Sequence, residues 1–189
     1  MNQGSIFAGF GGQGLLFCGH VLAEAALLEG RHVTWMPSYG PEMRGGTASC
    51  TVVVSDHPIG SPILDRADAV VALNPPSLAR FESVVAPNGL LILNTSLIEA
   101  EPSRTDIRVL ALPCTSMASL LGDVRLASVV ALGGLIADTP IVRPESVRRA
   151  LAEIVGAKRR EILDADLAAF ERGYELAAPV SELITEVYA

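Results

Sequence analysis

A three-layer α/β domain around a largely parallel sheet is the fold that this 189-residue sequence predicts. Three observations point to it. Half of the residues are hydrophobic but only 5% are aromatic, so the interior is built from Ala, Val, Leu and Ile, the usual filling of a parallel core. The chain opens as strand, glycine turn, helix and strand, a Rossmann-like start of a βαβ unit with a right-handed crossover. Short apolar runs then alternate with helical stretches, without an internal repeat, a low-complexity tract or a domain boundary. The length suits one domain, 1–189, with a sizeable core.

The elements follow in order. Ser5 to Phe10 is an apolar run ending in a glycine loop and reads as the first strand. Gly14 to Glu29, rich in Leu and Ala with few long polar side chains, predicts a helix buried on most of its circumference and ended by Gly30. His32 to Met36 is the second strand, and Pro37 to Gly46, which lacks apolar periodicity, is a loop. Thr47 to Ser55 is strand-like, with β-branched residues at 47 and at 51 to 54. Asp56-His57-Pro58 predicts a turn and Ile59 to Pro62 an extended return, together a hairpin beside the parallel strands.

Asp68 to Asn74 is a buried strand, and Pro75-Pro76-Ser77 opens a helix, because proline at the first helical position forfeits no hydrogen bond. Pro87-Asn88-Gly89 predicts a turn in which proline presets φ and glycine accepts a positive value. Leu90 to Asn94 and Ile107 to Leu112 are further strands. The remainder is helical: Thr115 to Leu121, then Arg125 to Ile136 with Gly133-Gly134 as a close-packing point. A helix opened by Pro144 carries Val147, Leu151 and Ile154 on one stripe, and a last one carries Leu163, Leu167, Phe170 and Tyr174.

Bulk properties exclude several classes of function. A net charge of −7 argues against nucleic acid, and the basic run Lys158-Arg159-Arg160 is flanked by Glu153 and Glu161 as on a solvated helix face. The N-terminus has no basic region followed by a long apolar run, and no stretch reaches the ~18 apolar residues of a membrane span. The expectation is a soluble cytoplasmic protein. Cys18, Cys50 and Cys114 are odd in number and never in a Cys-x-x-Cys pair; they read as small buried hydrophobes, not as a disulfide, zinc or iron–sulfur set. His20, His32 and His57 lack metal-binding spacing. No metal site and no catalytic residue is predicted in this chain.

Two glycine-rich loops are the candidate site. Gly9, Gly11 and Gly14 match Gly-x-Gly-x-x-Gly, with Gly12 and Gln13 between them, a spacing that lets backbone approach a pyrophosphate at a helix N-terminus. The acidic residue that holds a ribose about 20 positions later is missing, because Thr34, Trp35 and Met36 stand there. Leu15-Leu16 after Gly14 excludes a Walker loop. The second loop, Tyr39-Gly40-Pro41-Glu42-Met43-Arg44-Gly45-Gly46, is costly to order unless something uses it. Arg44 carries a planar fork suited to carboxylate or phosphate, although Glu42 and Arg44 also fit a plain surface loop. No Gly-x-Ser-x-Gly elbow surrounds Ser5, Ser38 or Ser49, so a hydrolase triad has no support.

Taken together, Gly9 to Gly14, the block Pro37 to Ala48, Val54-Ser55-Asp56 and Pro58 to Pro62 resemble the γ subunit of 2-oxoacid:ferredoxin oxidoreductases. The strands and turns from Asp68 to Asn94 continue the likeness. Ile59-Gly60-Ser61-Pro62 and Leu73 to Leu78 are most similar to the 2-oxoglutarate branch; pyruvate, branched-chain 2-oxoacids and indolepyruvate are the alternatives. The resemblance implies a non-autonomous subunit of an enzyme that decarboxylates a 2-oxoacid oxidatively to an acyl-CoA. Thiamine diphosphate, Mg and iron–sulfur clusters are then expected on α- and β-type partner subunits, with a ferredoxin-like δ subunit as a further partner. CoA is the cosubstrate and ferredoxin the electron acceptor. The isolated chain is a candidate homodimer. The reading from another class is a stand-alone nucleotide-binding module using the first loop. Two departures from the family pattern stand out: Ala127 replaces an Asn before Leu132-Gly133, and Asp166 replaces an Asn ahead of Ala169-Phe170.

Overall fold

The computed structural model describes residues 1–39, 47–156 and 159–187, with side chains through 178 except that of Tyr39. Its elements are β1 (Asn2–Phe10), α1 (Leu15–Leu28), β2 (His32–Tyr39), β3 (Thr47–Ser55), β4 (Ala67–Ala72), α2 (Pro75–Phe81), β5 (Val85–Asn94), β6 (Arg108–Leu112), α3 (Cys114–Leu120), α4 (Ala127–Asp138), α5 (Pro144–Val155) and α6 (Arg160–Val187). One sheet of order β2-β3-β1-β4-β5-β6 holds the strands together. β3 alone runs against the other five, pairing antiparallel with both β1 and β2, so the sheet is largely parallel as expected.

The alternation of side chains along each strand supplies two apolar faces. Phe7, Val71, Leu73, Ile92 and Leu112 face a thick helical layer made by α1, α3, α4, α5 and α6. Ile6, Ala8, Val70, Leu91 and Leu93 face a thin layer of α2 and its flanking loops, where Leu78 and Ile98 cover them. These are the three predicted layers, of very unequal thickness. Among the described residues, no helix is long and apolar enough to cross a membrane.

Close helix packing depends on glycine at two points. A Cβ on Gly133 would sit 2.1 Å from the Phe170 carbonyl oxygen, and one on Gly173 would sit 1.8 Å from that of Val130. α4 and α6 therefore meet backbone to backbone, which is the reason for the predicted packing point at Gly133-Gly134. α5 is tied to α6 by a forked pair, Arg148 Nε and Nη2 donating to the two carboxylate oxygens of Glu171 at 2.6 and 3.0 Å.

Three local expectations are corrected. Ile59 to Pro62 forms no strand and no hairpin; β3 spends both of its edges on β1 and β2 and has none free for a return. β2 runs on through Pro37 to Tyr39 where a loop was expected. It is the edge strand, and an edge tolerates the missing N–H of proline. Pro87-Asn88-Gly89 lies within β5 as an irregularity, and the positive φ, 61°, belongs to Asn88. Gly89 is required for a different reason, since a Cβ there would lie 2.8 Å from the Ala86 carbonyl and 3.0 Å from that of Asp68.

Candidate functional site

The glycine loop leaves the carboxyl end of β1, where the winding of the sheet reverses: α1 carries the chain to β2 on one side, and β4 to β6 lie on the other. Such a reversal leaves a crevice at the strand ends, the usual ligand position of open α/β sheets. The neighbouring ends are stitched by buried amides. The Leu73 N–H donates to the Ala8 carbonyl at 2.9 Å. Asn94 Nδ2 donates to the Leu73 carbonyl at 3.1 Å and to Thr115 Oγ1 at 2.8 Å. Asn74 caps α2 by accepting from the Ser77 N–H at 2.9 Å.

Within the loop each predicted residue has a distinct place. Gly12 takes φ +97° with nothing within 4 Å of a prospective Cβ, so its exposed backbone is open to approach. Gln13 folds back, its Oε1 accepting from the Phe10 N–H at 2.7 Å and lying 2.5 Å from where a Cβ on Gly9 would stand. Gly14 adopts φ +78° directly before α1, and a Cβ there would meet the Arg125 carbonyl and Ser128 Oγ, each at 2.7 Å. Gly12 and Gly14 are thus demanded by conformation, Gly14 by packing as well, and Gly9 by the place that Gln13 takes against it. The N-terminus of α1 carries no side-chain cap among the described residues, which leaves its first-turn N–H groups and dipole to the crevice. Gln13→Ala should leave the Phe10 N–H unpaired and cost about 1–2 kcal/mol, read as a fall in the thermal midpoint.

The residues that flank the second glycine-rich segment are brought to the end of β1 by β3. Ala48 pairs with Gly9 on β1 and also with Tyr39 on β2. Tyr39 therefore ends its strand about 10 Å from Gly9, two strand spacings away. Gly40, Glu42, Arg44, Gly45 and Gly46 lie outside the described residues, but the backbone leading into and out of their segment, Tyr39 and Thr47, converges on the first loop. Thr47 itself pairs with Phe10.

Behind the glycine loop the helical layer opens a cleft of about 420 Å³, a size that fits a small ligand or a side chain. Gly14 and Phe17 line one wall, Asp123, Arg125 and Val129 another, and Glu161, Ile162, Ala165 and Asp166 of α6 a third. Asp166 is only 5% exposed and has no hydrogen-bond partner among the described residues. Burial pushes its carboxyl up to about 6, with the charge of Asp123 adding repulsion. Asp123 behaves oppositely: hydrogen bonds from the Arg125 guanidinium and N–H, at 2.8 and 2.9 Å, hold it below the usual carboxylate range. Ser128, fully buried beside Gly14, has an Oγ without a partner among the described residues. The motif reading missed this cluster, although one signal was present: Asp166 sits three residues after Leu163 and four before Phe170, a polar intrusion on an apolar stripe.

The cysteines, distant in sequence, are free and buried in the core. Burial pushes the thiols of Cys50 and Cys114 to about 12 and raises that of Cys18 strongly. Among the described residues no group of three His, Cys, Asp or Glu side chains could hold a metal ion.

Residues 5–176 match the pyruvate ferredoxin/flavodoxin oxidoreductase family. Among relatives, the ketoisovalerate oxidoreductase subunit VorA of Methanothermobacter thermautotrophicus is 42% identical over 90% of this chain, which spans only 35% of that protein. The 2-oxoglutarate synthase subunit KorC of Methanocaldococcus jannaschii is 33% identical, with 90% of this chain and 91% of that one covered. The γ subunit of a keto/oxoacid ferredoxin oxidoreductase from Geobacter sulfurreducens superposes with a TM-score of 0.81 at 28% identity, covering 94% of this chain and 99% of the other. The family match covers most of the chain, and with a relative and a solved γ subunit matched over nine-tenths of both chains, the chain belongs to the pyruvate ferredoxin/flavodoxin oxidoreductase family as a chain of its γ-subunit type.

Proposed function

We propose that this chain is the γ subunit of a multisubunit 2-oxoacid:ferredoxin oxidoreductase that converts a 2-oxoacid and CoA to an acyl-CoA. The observation that carries the reading is the γ-type likeness over 94% of this chain, joined to the meeting of Gly9 and Tyr39, from which the two glycine-rich segments leave, across Ala48. Among the described residues, little suits the groups that perform the chemistry. Iron–sulfur clusters need several thiolates at one place, whereas these thiols are buried and held protonated. The one Gly-Asp pair, Gly122-Asp123, spends its carboxylate on Arg125. Thiamine diphosphate, Mg and the clusters therefore belong on α- and β-type partners, with ferredoxin as acceptor. A phosphate-bearing cosubstrate such as CoA is the participant that fits this chain, at the backbone of Gly12 and Gly14 and the start of α1, which has no side-chain cap.

The favoured substrate is 2-oxoglutarate, on the wording of Ile59 to Pro62 and Leu73 to Leu78 and on the likeness to the KorC subunit. Ketoisovalerate is the second reading, favoured by the higher identity to VorA. Asn74 in the second of these blocks caps α2, a structural task, so on this reading substrate contacts fall to the partners. Co-expression with α- and β-type subunits, followed by a 2-oxoacid panel with a low-potential acceptor, tests the function; an assembled complex inactive on every 2-oxoacid refutes it. In that complex Arg44→Ala should lower assembly or turnover about tenfold by removing a positioning contact. Wild-type values of both would exclude that role.

A further inference from the structure

We propose that the cleft between α1, the turn Val124–Leu126 and α6 is a docking subsite for an aliphatic cation, the guanidinium or ammonium end of a side chain presented by an assembling subunit. This occupant presupposes the subunit role proposed above. Charge on the cleft selects it. Three carboxylates, Asp123, Glu161 and Asp166, line the space against one guanidinium, and Arg125 is already engaged by Asp123. Asp166 is 95% enclosed, the complement of its 5% exposure, without a hydrogen bond from any described residue. An ionised carboxylate in that state is costly, and burial accordingly favours its protonated form in the isolated chain. A cation brought to it supplies both the charge and the donors that are missing.

The apolar lining specifies the rest of the occupant. Phe17, Val129 and Ile162 offer a surface for the methylene stem of a lysine or arginine, whose charged end then reaches Asp166. A free amine would leave the rim in water. Val124, between two lining residues, is 56% exposed, and Ile162 on the wall is 52% exposed. A protein surface covers such residues and a small ligand does not.

The test is made in the assembled complex with wild type, Asp166→Asn and, as a surface-charge control on the same helix, Asp164→Asn. Asp166→Asn keeps the shape and removes the charge. It should weaken association of this chain about tenfold or more, while its own thermal stability is undiminished. Asp164→Asn should stay within twofold of wild type. Independently, amide exchange in the wild-type complex should slow at residues 123–129 and 161–166 relative to the free chain. Unchanged affinity of Asp166→Asn, or unchanged exchange at those segments, overturns the proposal while leaving the subunit role intact. A wild-type chain that joins no partner and supports no turnover overturns both.

Discussion

Gly173→Ala should destabilise the chain by about 3 kcal/mol, a large share of the roughly 5–15 kcal/mol that holds a domain folded. Alanine is the better helix former, so an isolated α6 would gain up to ~1 kcal/mol from the change. The tertiary cost is larger. The new Cβ would stand 1.8 Å from the Val130 carbonyl oxygen, and that oxygen belongs to the backbone of α4, which cannot rotate aside like a side chain. The helices must separate, opening the contact around Phe170 and Ala169. Gly133→Ala meets the same interface from the other side, and the two changes should combine less than additively because either one forces the separation. Gly60→Ala, with open space at its Cβ, should be neutral within ~0.5 kcal/mol. Thermal midpoints of the three variants check the account; a Gly173→Ala midpoint equal to wild type would refute it.

Asp166→Asn should raise stability at neutral pH by about 2–3 kcal/mol, and the gain should vanish in acid. The carboxyl titrates near 6 in the folded chain against about 3.9 when unfolded, roughly two pH units at 1.36 kcal/mol each. A raised carboxylate pKa means that the folded state binds the proton more tightly. The penalty is therefore absent below the unfolded value, grows as pH rises from ~4 through ~6, and is full above that. Asparagine carries no such penalty at any pH. The groups facing Asp166 are Asp123 and Arg125 from the turn, Glu161 on its own helix and the Cys18 thiol of α1. Asp123 stays ionised well into acid because of Arg125, so its repulsion persists across the window. Carboxylates elsewhere, such as Asp56 and Asp106, titrate the opposite way, so the measurement is the difference between variant and wild type across pH 4 to 8. A pH-independent difference would mean that Asp166 is not ionised at neutrality. A chain that keeps an acid at this cost while asparagine would fit has the signature of a site traded against stability.

Most of the fold was legible because its signals are local. Proline at the head of α2 and α5, the positive-φ glycine after α1, and the β-branched run of β3 each act through a few neighbouring residues. The hairpin expected at Ile59 to Pro62 failed for a non-local reason: the partner of β3 is chosen by which strands lie beside it, and β1 and β2 claim both edges. The turn expected at Pro87 to Gly89 became an irregularity within β5 for a similar reason: the pairing with β4 steps from Val85 to Leu90 across it, and a Cβ on Gly89 would press on the Asp68 carbonyl. At the site, the sequence pattern marked the glycine loop and its missing ribose acid. That Gln13 closes the loop, that Gly14 yields to Ser128, and that Asp166 lies in the cleft depend on residues more than a hundred positions apart in the last two cases.

The order of the elements, the class of fold and the family likeness were thus written in the chain itself, because helix periodicity, strand alternation and glycine or proline punctuation are enforced within a few residues. The reversal of β3, the meeting of the two loop stems across Ala48 and the enclosure of Asp166 come only with the folded chain. Strand pairing and desolvation are set by which distant surfaces pack together, and a carboxylate has its ordinary acidity until that packing takes its water away.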